Sequence, residues 1–232
     1  MTRKGKKYRS ALGTLDQSRS YDLLEAVELV KKMAFAGFDE TLELILKLGI
    51  DPRRSDQAVR GTVPLPHGTG KKVRILVFCP FDQIEGALAA GAEHAGGKEL
   101  VEKIKGGWLE FDVAVASKEM MREVSPLGKV LGPRGLMPSP KAGTVTENVP
   151  RTVKEIKAGK IEFKSDKFGN IQVAAGKVSF SEQQLAENIQ AVVKEIIHSR
   201  PATAKGKYLQ KAFIVSTMGP SVKIDVQKLA GV

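Results

Sequence analysis

His67-Gly-Thr-Gly-Lys71 is the stretch nearest to catalytic chemistry, with glycines that let a backbone wrap a phosphate and a lysine that could neutralise it. A Walker-type loop also needs a glycine five residues before Gly70, where Leu65 stands, and Ser or Thr after Lys71, where Lys72 stands. The segment precedes an apolar run instead of following one, and no G-x-G-x-x-G follows that run. These departures argue against nucleotide chemistry. His67, His94 and His198 are scattered and no Cys/His cluster has ligand spacing, so neither a metal nor another cofactor is expected. Cys79 closes the apolar run from Val73, has no second cysteine to bridge to, and reads as a small core residue. No nucleophile elbow is present. No catalytic residue is expected, and the chain does not read as an enzyme.

Binding chemistry is better represented. Ser125 to Val145 carries Pro126, Pro133, Pro138 and Pro140, which disfavour a regular helix, and four glycines that permit unusual backbone angles. Its only charges, Lys129, Arg134 and Lys141, are positive, while Leu127, Val130, Leu131, Leu136 and Met137 give it apolar anchors. The stretch reads as an ordered, basic loop, a surface suited to an anion or a nucleic-acid backbone. Thr217-Met-Gly-Pro-Ser221 offers a hydroxyl and exposed backbone suited to 2′-OH groups, or simply a tight turn between strands. Phe38 precedes a long strand; an isolated Phe there is more often a core anchor than a stacking platform. Glu43 could accept from base amines or ribose hydroxyls, or merely face solvent.

These groups need elements to hold them. Leu42, Leu44, Leu46, Leu48 and Ile50 alternate with more polar residues, predicting a half-buried strand. Asp22 to Ala36 reads as a helix opened by an Asp22/Glu25 capping box, and a helix beginning at Ser181/Gln184 carries Leu185, Ile189, Val192 and Ile196 on one face. A hairpin is expected around Ser165 to Asn170, between strands 161–164 and 170–174. Strands are also expected over 60–63, 212–217 and 222–226. Between them the style changes. Val73 to Cys79 and Asp112 to Ala116 are near-continuous apolar strands, and helices are expected at 82–90, 98–105, 118–124 and 152–158. The fold expected is one α+β domain made of both chain ends, 1–67 plus 160–232, interrupted by an α/β insert at 68–159.

The 232 residues carry 37 Lys and Arg against 26 Asp and Glu, a net +11. The two-part domain holds 23 basic and 15 acidic groups, +8, and the insert 14 and 11, +3. Such a surplus favours a polyanionic partner. Arg3, Lys4, Lys6, Lys7 and Arg9 read as a basic tail. No apolar run approaches the ~18 residues of a membrane span, so no membrane partner is expected. The N-terminus lacks the apolar segment of a signal peptide, so secretion is not expected either.

Taken together, the motifs resemble one family. Gly37-Phe-Asp-Glu-Thr41, Leu48-Gly-Ile-Asp-Pro-Arg-Arg-Ser-Asp56, Arg60-Gly-Thr-Val63, Leu65-Pro-His-Gly68, Gly132-Pro-Arg-Gly-Leu-Met-Pro138, Pro140-Lys-Ala-Gly-Thr-Val145 and Thr217-Met-Gly-Pro-Ser221 follow one another as in the bacterial family of the first protein of the large ribosomal subunit, the stalk protein beside the tRNA exit site. The resemblance spans essentially the whole chain. It implies a discontinuous RNA-binding α+β domain with an inserted three-layer α/β domain, and a cytoplasmic, ribosomal location, with an organellar source left open. It also implies binding to stalk ribosomal RNA, help in releasing deacylated tRNA from the exit site, and repression of its own messenger RNA. Its partners would be those RNAs and other ribosomal components. The RNA-binding residues it implies here are Phe38, Thr41, Glu43, Lys47, Thr217, Met218 and Gly219, with Asp166 and Lys167 as weaker members. Lys129, Arg134 and Lys141 would form a secondary surface for RNA or tRNA. The family often carries Lys where Gly37 stands and Asn where Ser139 stands, so one phosphate contact is expected to be missing. Two other classes fit the composition less well: an enzyme acting on nucleotides through the insert, and a purely structural protein whose charge only aids packing.

Overall fold

The computed structural model describes residues 5–229. Its first half runs α1 (Lys6–Gly13), α2 (Leu23–Met33), β1 (Thr41–Leu48), β2 (Arg60–Pro64), β3 (Ile75–Phe78), α3 (Ile84–Ala89), β4 (His94–Gly96), α4 (Lys98–Lys105), β5 (Val113–Ser117) and α5 (Met121–Val124). Then come α6 (Gly128–Leu131), β6 (Val145–Thr146), α7 (Val149–Lys157), β7 (Lys160–Lys164), β8 (Asn170–Lys177), α8 (Glu182–His198), β9 (Leu209–Ser216), β10 (Val222–Ile224) and α9 (Val226–Leu229). They form two compact units, one from the chain up to Gly70 and from Ile161 onward, the other from Lys71–Lys160.

In the two-ended unit, the sheet order is β10-β9-β1-β8 and every pair is antiparallel. β1 is interior, and its alternation is the one its sequence dictates: Leu42, Leu44, Leu46 and Leu48 are buried, and Thr41, Glu43, Ile45 and Lys47 are half-buried. α2 brings Ala26, Val27, Val30 and Met33 to the same core, and α8 brings Leu185, Ile189, Val192 and Ile196. The α8 capping box forms: Ser181 Oγ accepts from Gln184 N at 3.2 Å, and Gln184 Oε1 accepts from Ser181 N at 3.0 Å. The box expected at α2 does not. Asp22 makes no side-chain cap bond and pairs instead with Lys228 at 2.6 Å, while Glu25 pairs with Arg19 at 3.1 Å. α2 also stops at Met33, short of Ala36, because the N–H groups of Phe35 and Ala36 turn to the carboxylate of Glu40.

Two other expectations are corrected here. The strands around Ser165 to Asn170 are not a hairpin ladder: β7 pairs with β2 in a separate two-stranded sheet, β8 joins β1, and a single Ser165–Ile171 bridge links them. Packing decides it. Buried Phe163 lies over Gly61, where an added Cβ would stand 2.7 Å from the ring, so β2 can approach β7 closely only because residue 61 has no side chain. The basic tail is also partly structured. Arg3 and Lys4 lie outside the described residues, but Lys6, Lys7 and Arg9 stand on α1, none of whose residues is buried.

The other unit is a parallel sheet of order β4-β3-β5-β6 between two helical layers. Ile75 and Val77 of β3 pack with Ala87 of α3 and Val149, Val153 and Ile156 of α7. Leu76 and Phe78 pack on the opposite face with Leu100, Val101 and Ile104 of α4. This is the three-layer α/β arrangement, and the molecule as a whole is mixed α+β and α/β. β4 has no sequence signature, since three residues cannot show alternation; it exists because Leu76, Val77 and Phe78 pair with it. α7 begins three residues earlier than expected. Asn148 caps it through Arg151 N at 3.2 Å, and Pro150 sits in the first turn, where its missing N–H costs nothing. The helix expected at 118–124 shrinks to α5.

The 125–145 stretch is more regular than its prolines suggest. Ser125–Leu127 is a 3-10 turn with Pro126 in the tolerated first positions, and it runs into α6. Leu127 and Leu131, four apart, both reach the core, as does Ala142 from the second 3-10 turn, Pro140–Ala142.

Candidate nucleic-acid interface

The buried carboxylate of Glu40, 1% exposed, organises one end of β1. Its Oε1 accepts from Phe35 N at 3.1 Å and Ala36 N at 2.9 Å, and its Oε2 accepts from Met218 N at 3.0 Å. One side chain therefore ties the segment after α2 to the turn after β9. Burial pushes its pKa up, but the N–H groups of Met218, Ala36 and Phe35 favour the charged form and hold it below the usual carboxylate value. Beside it, Thr217 Oγ1 accepts from Thr41 N at 3.0 Å and donates to Thr41 O at 3.3 Å. A hydroxyl with one donor and two lone pairs keeps one acceptor site after both bonds. Lys177, directly across from Thr41, donates to Thr41 Oγ1 at 2.9 Å and to Asp39 O at 3.2 Å.

What this frame presents is Phe38, 57% exposed, and Met218, 51% exposed. Phe38 is thus not the core anchor that an isolated Phe usually is. Gly219 donates its N–H to Ser216 O at 3.2 Å, and a Cβ there would stand 2.5 Å from Ser216 Oγ, so the tight turn has no room for a side chain. The sequence-expected residues Phe38, Thr41, Thr217, Met218 and Gly219 are brought to one edge.

Glu43 and Lys47 continue from Thr41 along the same face of β1, about 20 Å from residue 41 to residue 47 at the rise of a strand. Residues directly opposite in a ladder share a face. The register therefore places Lys177, Lys47, Lys211 (opposite Lys47) and Lys223 (opposite Phe213, itself opposite Ile45) on that face. Glu43 is its one acid within the four strands and lies between uncharged Ala174 and Val215. The face is cationic and half-apolar, a surface suited to a phosphate backbone and to bases.

At the far end, Lys47 Nζ donates to Phe168 O. Asp166 is exposed but bonded within its own turn, accepting from Phe168 N at 2.8 Å, Asn170 N at 2.7 Å and Asn170 Nδ2 at 2.9 Å. Burial raises its pKa, but these bonds and nearby Lys47 outweigh that and hold it low. Its carboxylate shapes the turn, while Lys167 is exposed. Lys129, Arg134 and Lys141 are all exposed and belong to the other unit.

Sequence reading missed Glu40 and Lys177. Glu40 stands between Asp39 and Thr41, where an acid looks like a solvated strand approach, and only the pairing of β1 with β9 reveals its distant donor, Met218 N. Lys177 would have needed the β1–β8 register to be visible. Among the described residues no group of His, Cys, Asp and Glu could hold a metal ion, and no helix is long and apolar enough to cross a membrane. Cys79 is buried, and burial pushes its thiol pKa up, so it is no activated nucleophile.

Residues 30–220 match the model of the ribosomal protein L1p/L10e family. The chain belongs to that family. It is similar to the large ribosomal subunit protein uL1 of Chlamydia trachomatis, 53% identical over 229 residues and 99% of each chain. The protein of the same name from Protochlamydia amoebophila is 54% identical over 228 residues, covering 98% of this chain and 97% of that one. That of Clavibacter michiganensis is 51% identical over 226 residues, 97% and 99%. Proteins of the L1p/L10e family are structural, non-enzymatic components, and membership removes the nucleotide-enzyme alternative.

Proposed function

We propose that this chain is a structural constituent of the large ribosomal subunit, working on the ribosome in the cytoplasm, and that it binds stalk ribosomal RNA through the edge around Phe38 and Met218 and the open face of β1. The reading rests above all on the Glu40 anchor, which ties together the two main-chain segments that carry half-exposed Phe38 and Met218 beside a lysine-rich strand face. Aromatic and apolar platforms held rigidly among cations are what unstacked bases and a phosphate backbone need. Glu43 would accept from base amines or ribose hydroxyls, and Lys47 would neutralise a phosphate. Release of exit-site tRNA and repression of the chain's own messenger RNA are further parts of the proposal, with the insert at 68–159 acting as a separate domain. Lys129, Arg134 and Lys141 are the residues for a secondary RNA or tRNA surface.

Equilibrium binding to a large-subunit ribosomal RNA fragment at one fixed salt concentration tests the division of labour. Phe38→Ala is expected to weaken specific binding by about 1–3 kcal/mol. The triple change of Lys129, Arg134 and Lys141 to Ala is expected to leave it nearly intact. A collapse in the triple variant with no loss in Phe38→Ala would move primary recognition to the loop.

A further inference from the structure

Phe168, at the tip of the turn between β7 and β8, is 72% exposed, more than Phe38. Folding does not explain it: a large aromatic in water gains nothing from burial, and the turn's own geometry does not use the ring. The main chain beneath the ring is nevertheless held. Asp166 holds the N–H groups of Phe168 and Asn170, and Lys47 holds the Phe168 carbonyl. Gly169, at φ +75°, makes the bend, and its backbone lies so close to Ile50 and Leu48 that an added Cβ would contact both. The ring is thus displayed from a pinned turn, so little main-chain freedom remains to be lost on binding. Its surroundings are basic. Lys164 and Lys167 precede it in sequence and Lys47 donates to its carbonyl, while the one acid of the turn, Asp166, spends both carboxylate oxygens on hydrogen bonds within the turn.

We propose that Phe168 is a second stacking platform, taking an unstacked nucleobase of the RNA at the end of the β1 face opposite to Phe38. This rests on the RNA-binding reading above and extends its footprint along the strand, with the three lysines supplying phosphate contacts around the stacked base. Stacking is sequence-tolerant, because every base has a π-face. Phe168 therefore adds affinity and register, while groups elsewhere on the face read the sequence.

The test compares the full chain with Phe168→Ala, Phe168→Tyr and Phe38→Ala for equilibrium binding to a large-subunit ribosomal RNA fragment across a salt series, with thermal unfolding of each. Phe168→Ala is expected to bind roughly tenfold or more weakly, with the salt slope and the unfolding midpoint unchanged. Phe168→Tyr, which keeps the ring, is expected to retain the affinity. Unchanged affinity in Phe168→Ala with a loss in Phe38→Ala would overturn the second platform and leave the main site standing. Equal losses in the Ala and Tyr variants, or a changed salt slope, would overturn stacking as its basis. Full affinity in both Phe168→Ala and Phe38→Ala would remove the RNA-binding reading itself.

Discussion

Glu40→Ala is expected to destabilise the folded chain by on the order of 3 kcal/mol and to disorganise the Phe38–Met218 edge with it. The carboxylate serves three backbone N–H groups from two segments far apart in sequence. Each buried donor left unsatisfied costs about 1–3 kcal/mol, though solvent reaching the opened edge would reduce the sum. Glu40→Gln keeps one acceptor oxygen and presents an NH₂ in place of the other, so it would relieve part of the loss only. The pH dependence gives an independent signature. In the folded chain Glu40 titrates below its ordinary value of 4.5. A depressed carboxylate contributes stability that is fully present above the unfolded value and is lost as pH falls through the folded one. Denaturant titrations should therefore show wild type losing stability below about pH 4.5 more steeply than Glu40→Gln. Identical acid limbs would show that Glu40 does not carry this stabilisation.

The second large effect is expected at Asn188, in the middle of α8 and 0% exposed. Its Nδ2 donates to Ala175 O at 2.8 Å and Gly68 O at 2.9 Å, and its Oδ1 accepts from His67 N at 3.1 Å. A polar residue tolerated on a buried helix face is explained by those three bonds, which pin the 67–68 segment and β8 to α8. Asn188→Ala removes all three and leaves a small void, for a loss of roughly 2–4 kcal/mol. Asn188→Leu fills the volume but still orphans the two carbonyls and the N–H, so it should recover little. Urea unfolding is the measurement: the midpoint should fall in both variants at unchanged slope. A midpoint within error of wild type in Asn188→Leu would show that shape alone matters there.

The sequence carried the regular elements well where periodicity had room to speak. The Leu42 to Leu48 alternation, the α4 span Lys98–Lys105 and the Ser181/Gln184 box all stand as read. Local chemistry failed where a distant partner competed for the same group. Asp22 chose Lys228 over its own helix, and α2 ended early because Glu40 claimed the N–H groups beyond it. Register was the other blind spot. That β7 leaves β8 for β2 depends on Phe163 meeting Gly61, a contact between residues 102 apart in the same pair as Arg60–Glu162. At the interface, motif resemblance pointed to Phe38, Thr41 and Thr217 without saying why they stand together. The reason is a buried acid that bonds the chain just before it and reaches Met218 N, a donor visible only once β1 and β9 are paired.

The most direct measurement concerns Thr217, whose hydroxyl bonds Thr41 on both main-chain sides and keeps one lone pair for a ligand. Specific affinity for a large-subunit ribosomal RNA fragment, measured at fixed salt against excess unrelated RNA, would be compared for wild type, Thr217→Val and Thr217→Ser. The group is exposed, so water can replace its internal bonds and both variants should fold like wild type. Thr217→Val is expected to lose about 1–3 kcal/mol of specific binding, with Thr217→Ser retaining most of it. Wild-type affinity in a folded Thr217→Val variant would contradict an RNA site at this edge.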